Sequence, residues 1–301
     1  MPGFFFNQKD FQSKYKVKDF DEDTNTLLSK LNKQIEPFIL RRKKQDVLKD
    51  LPEKMENNIF IDLSKEQKKL YAAEVKRVRE EMDNLIKTEG LSKARFMMLQ
   101  LLTKLRQLCI DPKIVFENYK GESTKIENLV KIVLELIANG HKVLIFSSFR
   151  TALDVVAKEF KNNNISYYEI NGSVDSKKRM KLVTDFNNDD TNAFLITLKA
   201  GGTGLNLTSA DTVIHLDLWW NPQAENQATD RAHRIGQKNK VSVVKLVARG
   251  TIEEKILDLQ EKKKLLSDKI IEGDSRDKNT LGELTEKELR NLLAYEQDEN
   301  N

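Results

Sequence analysis

Gln227, Arg231 and Arg234 stand at i, i+4 and i+7 in NPQAENQATDRAHRIG, so a helix through this segment presents them on one face. Two guanidiniums on one polar stripe offer planar, charged forks suited to an anion such as a phosphate. A solvated arginine face fits the same residues and is the commoner outcome for a generic helix. A second cluster is glycine. Gly201, Gly202 and Gly204 fall within LKAGGTGLNL, directly after the apolar AFLITL. Glycines so placed let the backbone approach a ligand and take positive φ, or they serve a tight turn and nothing more. No Gly-Lys-Ser/Thr follows, so the loop is not a P-loop.

Other reactive side chains exclude more than they suggest. The single cysteine, Cys109, lies in the apolar LLTKLRQLCI; no internal disulfide can form, and a buried structural thiol in a reducing, cytoplasmic setting is expected. His141, His215 and His233 are far apart and make no metal-ligand spacing, so no metal site is expected. Lys and Arg number 51 against 47 Asp and Glu, a net charge of +4, so any basic surface must come from local clustering. Arg41, Arg42, Lys43 and Lys44 are one such run, which by itself reads as a solvated face. No apolar run is long enough to span a bilayer, and MPGFFFNQKD lacks the pattern of a signal peptide, so no membrane partner is expected.

The elements that must carry these residues alternate. KVLIFSSF, ISYYEI, AFLITL, DTVIHLDL and VSVVKLV read as strands; TALDVVAKEFKNN, DSKKRMKLVTDF and NPQAENQATDRAHRI read as helices between them. That order predicts an α/β fold, a parallel sheet with helices on both faces, and ligands at the carboxyl ends of its strands. Upstream, Ser64 with Gln67 has the spacing of a capping box, opening a helix with an apolar stripe of Tyr71, Val75, Val78, Met82 and Leu85. A second helix runs from Lys93 to about Cys109 and ends at Asp111-Pro112. The third helix of the sheet region starts with Asn221 as cap and Pro222 at its first position, and Gly236 marks its end. The tail beyond about 261 is polar and helical, with a cap pattern at Thr285 and Glu288. Four regions result: 1–58, 59–120 (helical), 121–260 (the sheet) and 261–301 (the tail).

Taken together and in order, PFILRRKKQDVLKDLPEK, LRQLCIDP, KVLIFSSFR, YYEINGSVDSKKRMKLVTDFN, LITLKAGGTGLNLTSAD and DLWWNPQAENQATDRAHRIGQ resemble the SWI/SNF family of superfamily 2 helicase-like ATPases. The LKAGGTGLNLTSAD wording is nearer the bacterial branch: eukaryotic remodellers usually carry Thr where Leu198 stands and Gly-Ile around Thr203 to Leu205. The resemblance implies a RecA-like second motor lobe at 121–260, with 1–58 the end of the first lobe and the interlobe segment, and 59–120 a helical protrusion. In that family ATP binds between two lobes. The match makes Arg234 the arginine finger and Arg231 a second phosphate or interlobe contact. It assigns nucleotide-side roles to Gln227, Gly202 and Gly204. It assigns DNA-backbone contacts to Ser147, Ser148, Gly172, Ser173, Thr197 and Lys199, with Arg179 a weaker candidate. Of Trp219 and Trp220, it makes Trp220 part of the coupling between ATP and DNA, the other being packed. Strand-end and cap duties fit the serines equally well, Ser173 above all.

The chain has no Gly-x-x-x-x-Gly-Lys-Ser/Thr, and DFDEDT near its start has no apolar strand before it to make a DExH motif. The first lobe is therefore expected to be missing and the chain alone to be inactive. ATP and magnesium belong to the full-length motor, with none expected on this chain by itself. Two function classes follow. One is the C-terminal lobe of an ATP-dependent translocase on double-stranded DNA, with the missing first lobe and a transcription or repair complex as partners. The other is a non-catalytic lobe that binds nucleic acid or a partner.

Overall fold

The computed structural model describes residues 51–201 and 204–269, with Leu31 and Gln34. The chain divides into two compact units, residues 1–49 with 261–278 and residues 50–260 with 279–301, and the sheet belongs to the second. Gly202, the basic residues Arg41, Arg42, Lys43 and Lys44, and the Thr285/Glu288 cap pattern lie outside the described residues.

The strands are β1 (Lys54–Ile61), β2 (Val143–Ser147), β3 (Tyr167–Ile170), β4 (Ala193–Thr197), β5 (Thr212–His215) and β6 (Val241–Ala248). The helices are α1 (Lys65–Ile110), α2 (Thr124–Ala138), α3 (Arg150–Asn162), α4 (Ser176–Asn188), the single turn α5 (Leu198–Gly201), α6 (Pro222–Thr229) and α7 (Ile252–Lys269). All strands are parallel, in the order β1-β6-β5-β2-β4-β3. The central strands VLIFS and AFLIT are buried throughout, as a sheet covered on both faces requires. Alternation along β2 serves the two faces. Val143 and Ile145 meet Leu129, Val133, Val156 and Phe160 of α2 and α3, whereas Leu144 and Phe146 meet the side of Val183, Phe186 and Ala228 from α4 and α6.

β1 was not expected from sequence. KMENNIFI has no apolar run, and only one of its residues is buried, because it is an edge strand supported by β6 alone. Its register runs unbroken from Lys54 opposite Val241 to Ile61 opposite Ala248. The boundary expected after residue 58 therefore falls inside a strand of the sheet.

α1 is one uninterrupted helical run where two helices were expected. It is not a straight rod. Glu74 and Lys104 form an ion pair at 2.9 Å, whereas a straight helix would set residues thirty apart about 45 Å from each other. The run doubles back, so the two expected helices are its two arms. Tyr71, Val75, Val78 and Met82 of the first arm and Leu101, Leu105 and Leu108 of the second share one core with Leu218, Trp220, Val247 and Ile256. The cap at Ser64 forms as expected, its hydroxyl accepting from the Gln67 N–H at 3.2 Å. Gln67 does not close the box. Its Oε1 accepts instead from the Thr124 hydroxyl and N–H, at 2.7 and 3.1 Å, pinning the start of α2. Among the described residues no helix is long and apolar enough to cross a membrane.

Candidate nucleotide and nucleic-acid interfaces

Because the strands are parallel, the loops after β2, β3, β4 and β5 share one edge of the sheet. Ser147, Ser148, Gly172, Ser173, Thr197, Lys199 and Trp220 all fall there, but they are not equally available. Gly172, Ser173 and Lys199 are exposed and Ser148 is half-buried. Ser173 donates its hydroxyl and its N–H to Asn171 Oδ1, at 2.6 and 3.0 Å; the cap of α4 is Asp175, which accepts from the Lys178 N–H. Arg179 reaches back to the Val174 carbonyl at 3.2 Å. Thr197 is buried at the end of β4.

Two of these residues lie inside the fold. Ser147 is 1% exposed, and its hydroxyl donates to Asp217 Oδ1 at 2.6 Å while accepting the Phe149 N–H at 3.1 Å. It anchors the turn from within and has no surface to give to DNA. Trp220 is likewise packed into the core against α1 and α7, while Trp219 is the half-exposed member of the pair.

The glycine loop has a mixed cause. A Cβ on Gly201 would stand 2.7 Å from Cε1 of Phe146, so that glycine exists to let α5 close onto β2. Gly204 has φ +35° with open space around it. It is a backbone requirement, free to face a ligand. Gly201→Ala is expected to destabilise the chain by about 1–3 kcal/mol through overpacking. A thermal midpoint equal to that of the parent would show that α5 is not held this closely.

The arginine segment differs from the single helix expected to run to Gly236. α6 stops at Thr229, and Arg231 and Arg234 lie in the turns that follow. Past Thr229 the α pattern breaks: the Arg231 N–H bonds the Ala228 carbonyl at 3.1 Å instead of that of Gln227, and the Arg231 carbonyl accepts from the Leu207 N–H at 3.0 Å. Gln237 then holds the turn, its amide donating to the carbonyls of Ala210 and Ala232 at 2.8 and 3.2 Å. His233 Nε2 bonds the Pro52 carbonyl at 2.8 Å. These partners precede strands β5 and β1, so the turn sits toward the amino-terminal edge, away from the edge expected to carry every ligand. α6, packed on α5, connects the two places.

Arg231 is half-buried, with Nε donating to the Gln227 carbonyl at 3.0 Å. Burial, and next the positive charge of neighbouring Arg234, lower the pKa of its guanidinium. Arg234 and Gln227 are exposed. Two cations held together, one of them partly desolvated, are stabilised by an arriving anion. Among the described residues there is no acidic or His/Cys cluster able to hold a metal. The two guanidiniums are suited to an anion such as a phosphate.

Three buried charge networks went unread in the sequence. Arg106 is 1% exposed. Its Nη2 donates to Asp217 Oδ2 and to the Leu218 carbonyl, both at 2.7 Å, and to the Ser148 hydroxyl at 3.1 Å. Its guanidinium lies 4.9 Å from the ring centre of Phe149, 5.0 Å from Trp219 and 5.5 Å from Trp220. Glu225 of α6 accepts from the Trp219 N–H at 2.7 Å and from the Gln260 amide at 2.6 Å, and pairs with Lys245 at 2.8 Å. Lys125 of α2 and Glu253 of α7 form an ion pair with no exposed surface. The signal for Arg106 was present: a charge inside LLTKLRQLCI must find a partner if that helix is buried. Which partner it finds is not written locally. Cys109 is buried as expected, and burial pushes its thiol far above the usual range. The His141, His215 and His233 rings bond Asp211, the Thr229 hydroxyl and the Pro52 carbonyl respectively.

Comparison with known proteins adds to this geometry. Residues 1–114 match the SNF2-related domain, and residues 124–236 match the helicase conserved C-terminal domain. An uncharacterized ATP-dependent helicase of Mycoplasma pneumoniae is 39% identical over 97% of this chain, which spans about a quarter (27%) of that protein. The C-terminal domain of the Sulfolobus solfataricus SWI2/SNF2 ATPase is similar in structure at a TM-score of 0.63 and 31% identity, covering 81% of this chain and 100% of that one. The core of the same ATPase, solved with double-stranded DNA, gives a TM-score of 0.66 at 32% identity, over 98% of this chain and 62% of that one. The parallel sheet described above is thus of the RecA-like kind found in these ATPases.

Proposed function

This chain belongs to the SWI/SNF family, and on that premise we propose that it is the C-terminal lobe of a motor that uses ATP to translocate on double-stranded DNA. The observation that carries the reading is the arginine turn. A half-buried Arg231 beside an exposed Arg234, on a turn braced by Gln237 and His233, is a locally cationic surface of the kind that suits an anion. In this reading Arg234 reaches the phosphate undergoing transfer, and stabilises the charge that builds there. Arg231 and Gln227 hold the nucleotide or the facing lobe, and Gly202 and Gly204 close against it. The phosphate loop and the residues holding magnesium come from the first lobe.

The duplex lies along the carboxyl edge of the sheet. Gly172, Ser173, Lys199 and Ser148 meet its phosphates there, which gives grip without sequence choice. The partners implied are double-stranded DNA, the first lobe and, at one remove, a transcription or repair complex.

The test compares ATP hydrolysis by the purified chain, with and without duplex DNA, against the same chain fused behind a lobe bearing a phosphate loop. The chain alone is expected to turn over at background. The fusion is expected to hydrolyse ATP and to be stimulated by DNA. DNA-stimulated turnover by the chain alone would overturn the division of labour. A silent fusion that still binds DNA would favour a non-catalytic binding lobe.

A further inference from the structure

In addition to the residues that touch nucleotide or DNA in that reading, we propose that Arg106 is a positioning residue: it couples the DNA-side turn 147–149 to the arginine turn through Asp217, Trp219 and Glu225. The inference rests on the motor reading.

Its basis is a continuous set of contacts. Asp217, at the end of β5, accepts from the Ser147 hydroxyl at 2.6 Å and the Ser148 N–H at 2.9 Å with one oxygen, and from Arg106 at 2.7 Å with the other. Arg106 also donates to the Ser148 hydroxyl and the Leu218 carbonyl. The turn after β2 and the turn after β5 are therefore tied through one guanidinium. That guanidinium is held among three rings, Phe149 from the first turn and Trp219 and Trp220 from the second. Trp219 passes the constraint on. Its N–H donates to Glu225 of α6 and its carbonyl accepts from Gln260 of α7. α6 carries Gln227 and leads straight to Arg231 and Arg234.

A phosphate that shifts Ser148 cannot do so without moving Arg106 or breaking its bonds. Buried charge-assisted hydrogen bonds are stiff and costly to leave unmade, so such a cluster moves as a body. Arg106 comes from the second arm of α1, outside every segment assigned to ATP or DNA. Its flat guanidinium is what the three surrounding rings accommodate, and lysine supplies the charge without that plane.

The experiment uses the complete motor, in which this chain is joined to a phosphate-loop lobe. DNA-stimulated ATPase is measured across DNA concentrations for the parent and for Arg106→Lys. The expected result is a split: half-saturating DNA within about threefold of the parent, and turnover at saturating DNA lower by about tenfold or more. Trp219 and Trp220 are the chain's only two tryptophans, so in the full 301-residue chain their emission reports on this clamp, and Arg106→Lys is expected to shift it. Combining Arg106→Lys with Glu225→Gln is expected to leave turnover within about threefold of the weaker single variant, since both interrupt one relay.

Parent-like turnover in Arg106→Lys would overturn the inference. So would a loss explained by weaker DNA binding, an unmoved emission spectrum, or losses that multiply in the double variant. Should Arg106→Lys not fold, Asp217→Asn carries the same measurements. It keeps an acceptor for Ser147 and Ser148 and removes the charge that faces Arg106. A parent motor without DNA stimulation would instead sink the motor reading, and is recognised before any variant is made.

Discussion

Replacing Arg234 with alanine is expected to lower DNA-stimulated ATP turnover of the two-lobed motor by about a thousandfold, the scale associated with a lost arginine finger. The effect should fall on turnover. DNA binding should hold within about twofold, because the residues proposed to meet the duplex lie at the other edge of the sheet. Stability should change by about 0.5 kcal/mol or less, since Arg234 is exposed and its side chain supports no buried partner. Arg231→Ala makes the informative contrast. Arg231 is half-buried and bonds the Gln227 carbonyl, so its loss should disturb the turn as well as the charge. Steady-state ATPase with saturating duplex, next to a thermal melt, separates the two. Turnover in Arg234→Ala within a few fold of the parent would place the finger elsewhere.

Lys125→Met should cost about 3–5 kcal/mol of stability, the loss typical when one member of a buried ion pair is removed. Lys125 donates to both oxygens of Glu253, at 2.7 and 2.6 Å, and Glu253 also accepts the Ala248 N–H at 2.8 Å. The pair joins the start of α2 to the turn between β6 and α7. Without the ammonium the carboxylate stands uncompensated. Burial already raises the Glu253 pKa, with Lys125 and the Ala248 N–H opposing the rise. Removing Lys125 raises it further. The sign follows: an acid whose folded pKa exceeds its unfolded one is best tolerated at low pH, where both states are protonated, and loses stability as pH rises past the ordinary carboxyl range. Lys125→Met should therefore be least harmful under mildly acidic conditions and worst near neutrality. Lys125→Met with Glu253→Gln should recover most of the loss, because the amide oxygen still accepts from Ala248 and no charge is stranded. Chemical denaturation of the parent and the two variants at two pH values would decide it. Equal destabilisation by the single and the double variant would mean that packing, not charge, is at stake.

Much of the site was legible because it is local. Gln227, Arg231 and Arg234 at i, i+4 and i+7, the glycine loop, and the order of apolar runs and helical stripes all sit within short windows. Side-chain alternation along VLIFS is a property of any strand. What misled was also local. Reading Gln227 to Gly236 as one helix put Arg231 and Arg234 on a face with Gln227, but the α pattern stops at Thr229 and the turn that follows is tied to Leu207 from a distant loop. Ser147 looked like a strand-end hydroxyl free for a phosphate until Asp217, far away in sequence, claimed it. Nothing in DLWWNP says which ring the α1 arms will cover, and it is Trp220 that is buried among them.

The sequence by itself therefore determined the parallel α/β arrangement, the family and the pair of arginines, since these depend on periodicity and on ordered motifs along the chain. Only the tertiary structure decided which of those residues face outward and which are spent inside. Edge strand β1 forms because β6 offers hydrogen bonds, not because KMENNIFI demands it. Arg106, Asp217 and Glu225 became a network because a charge taken out of water must find a partner, and folding alone brings those partners within reach.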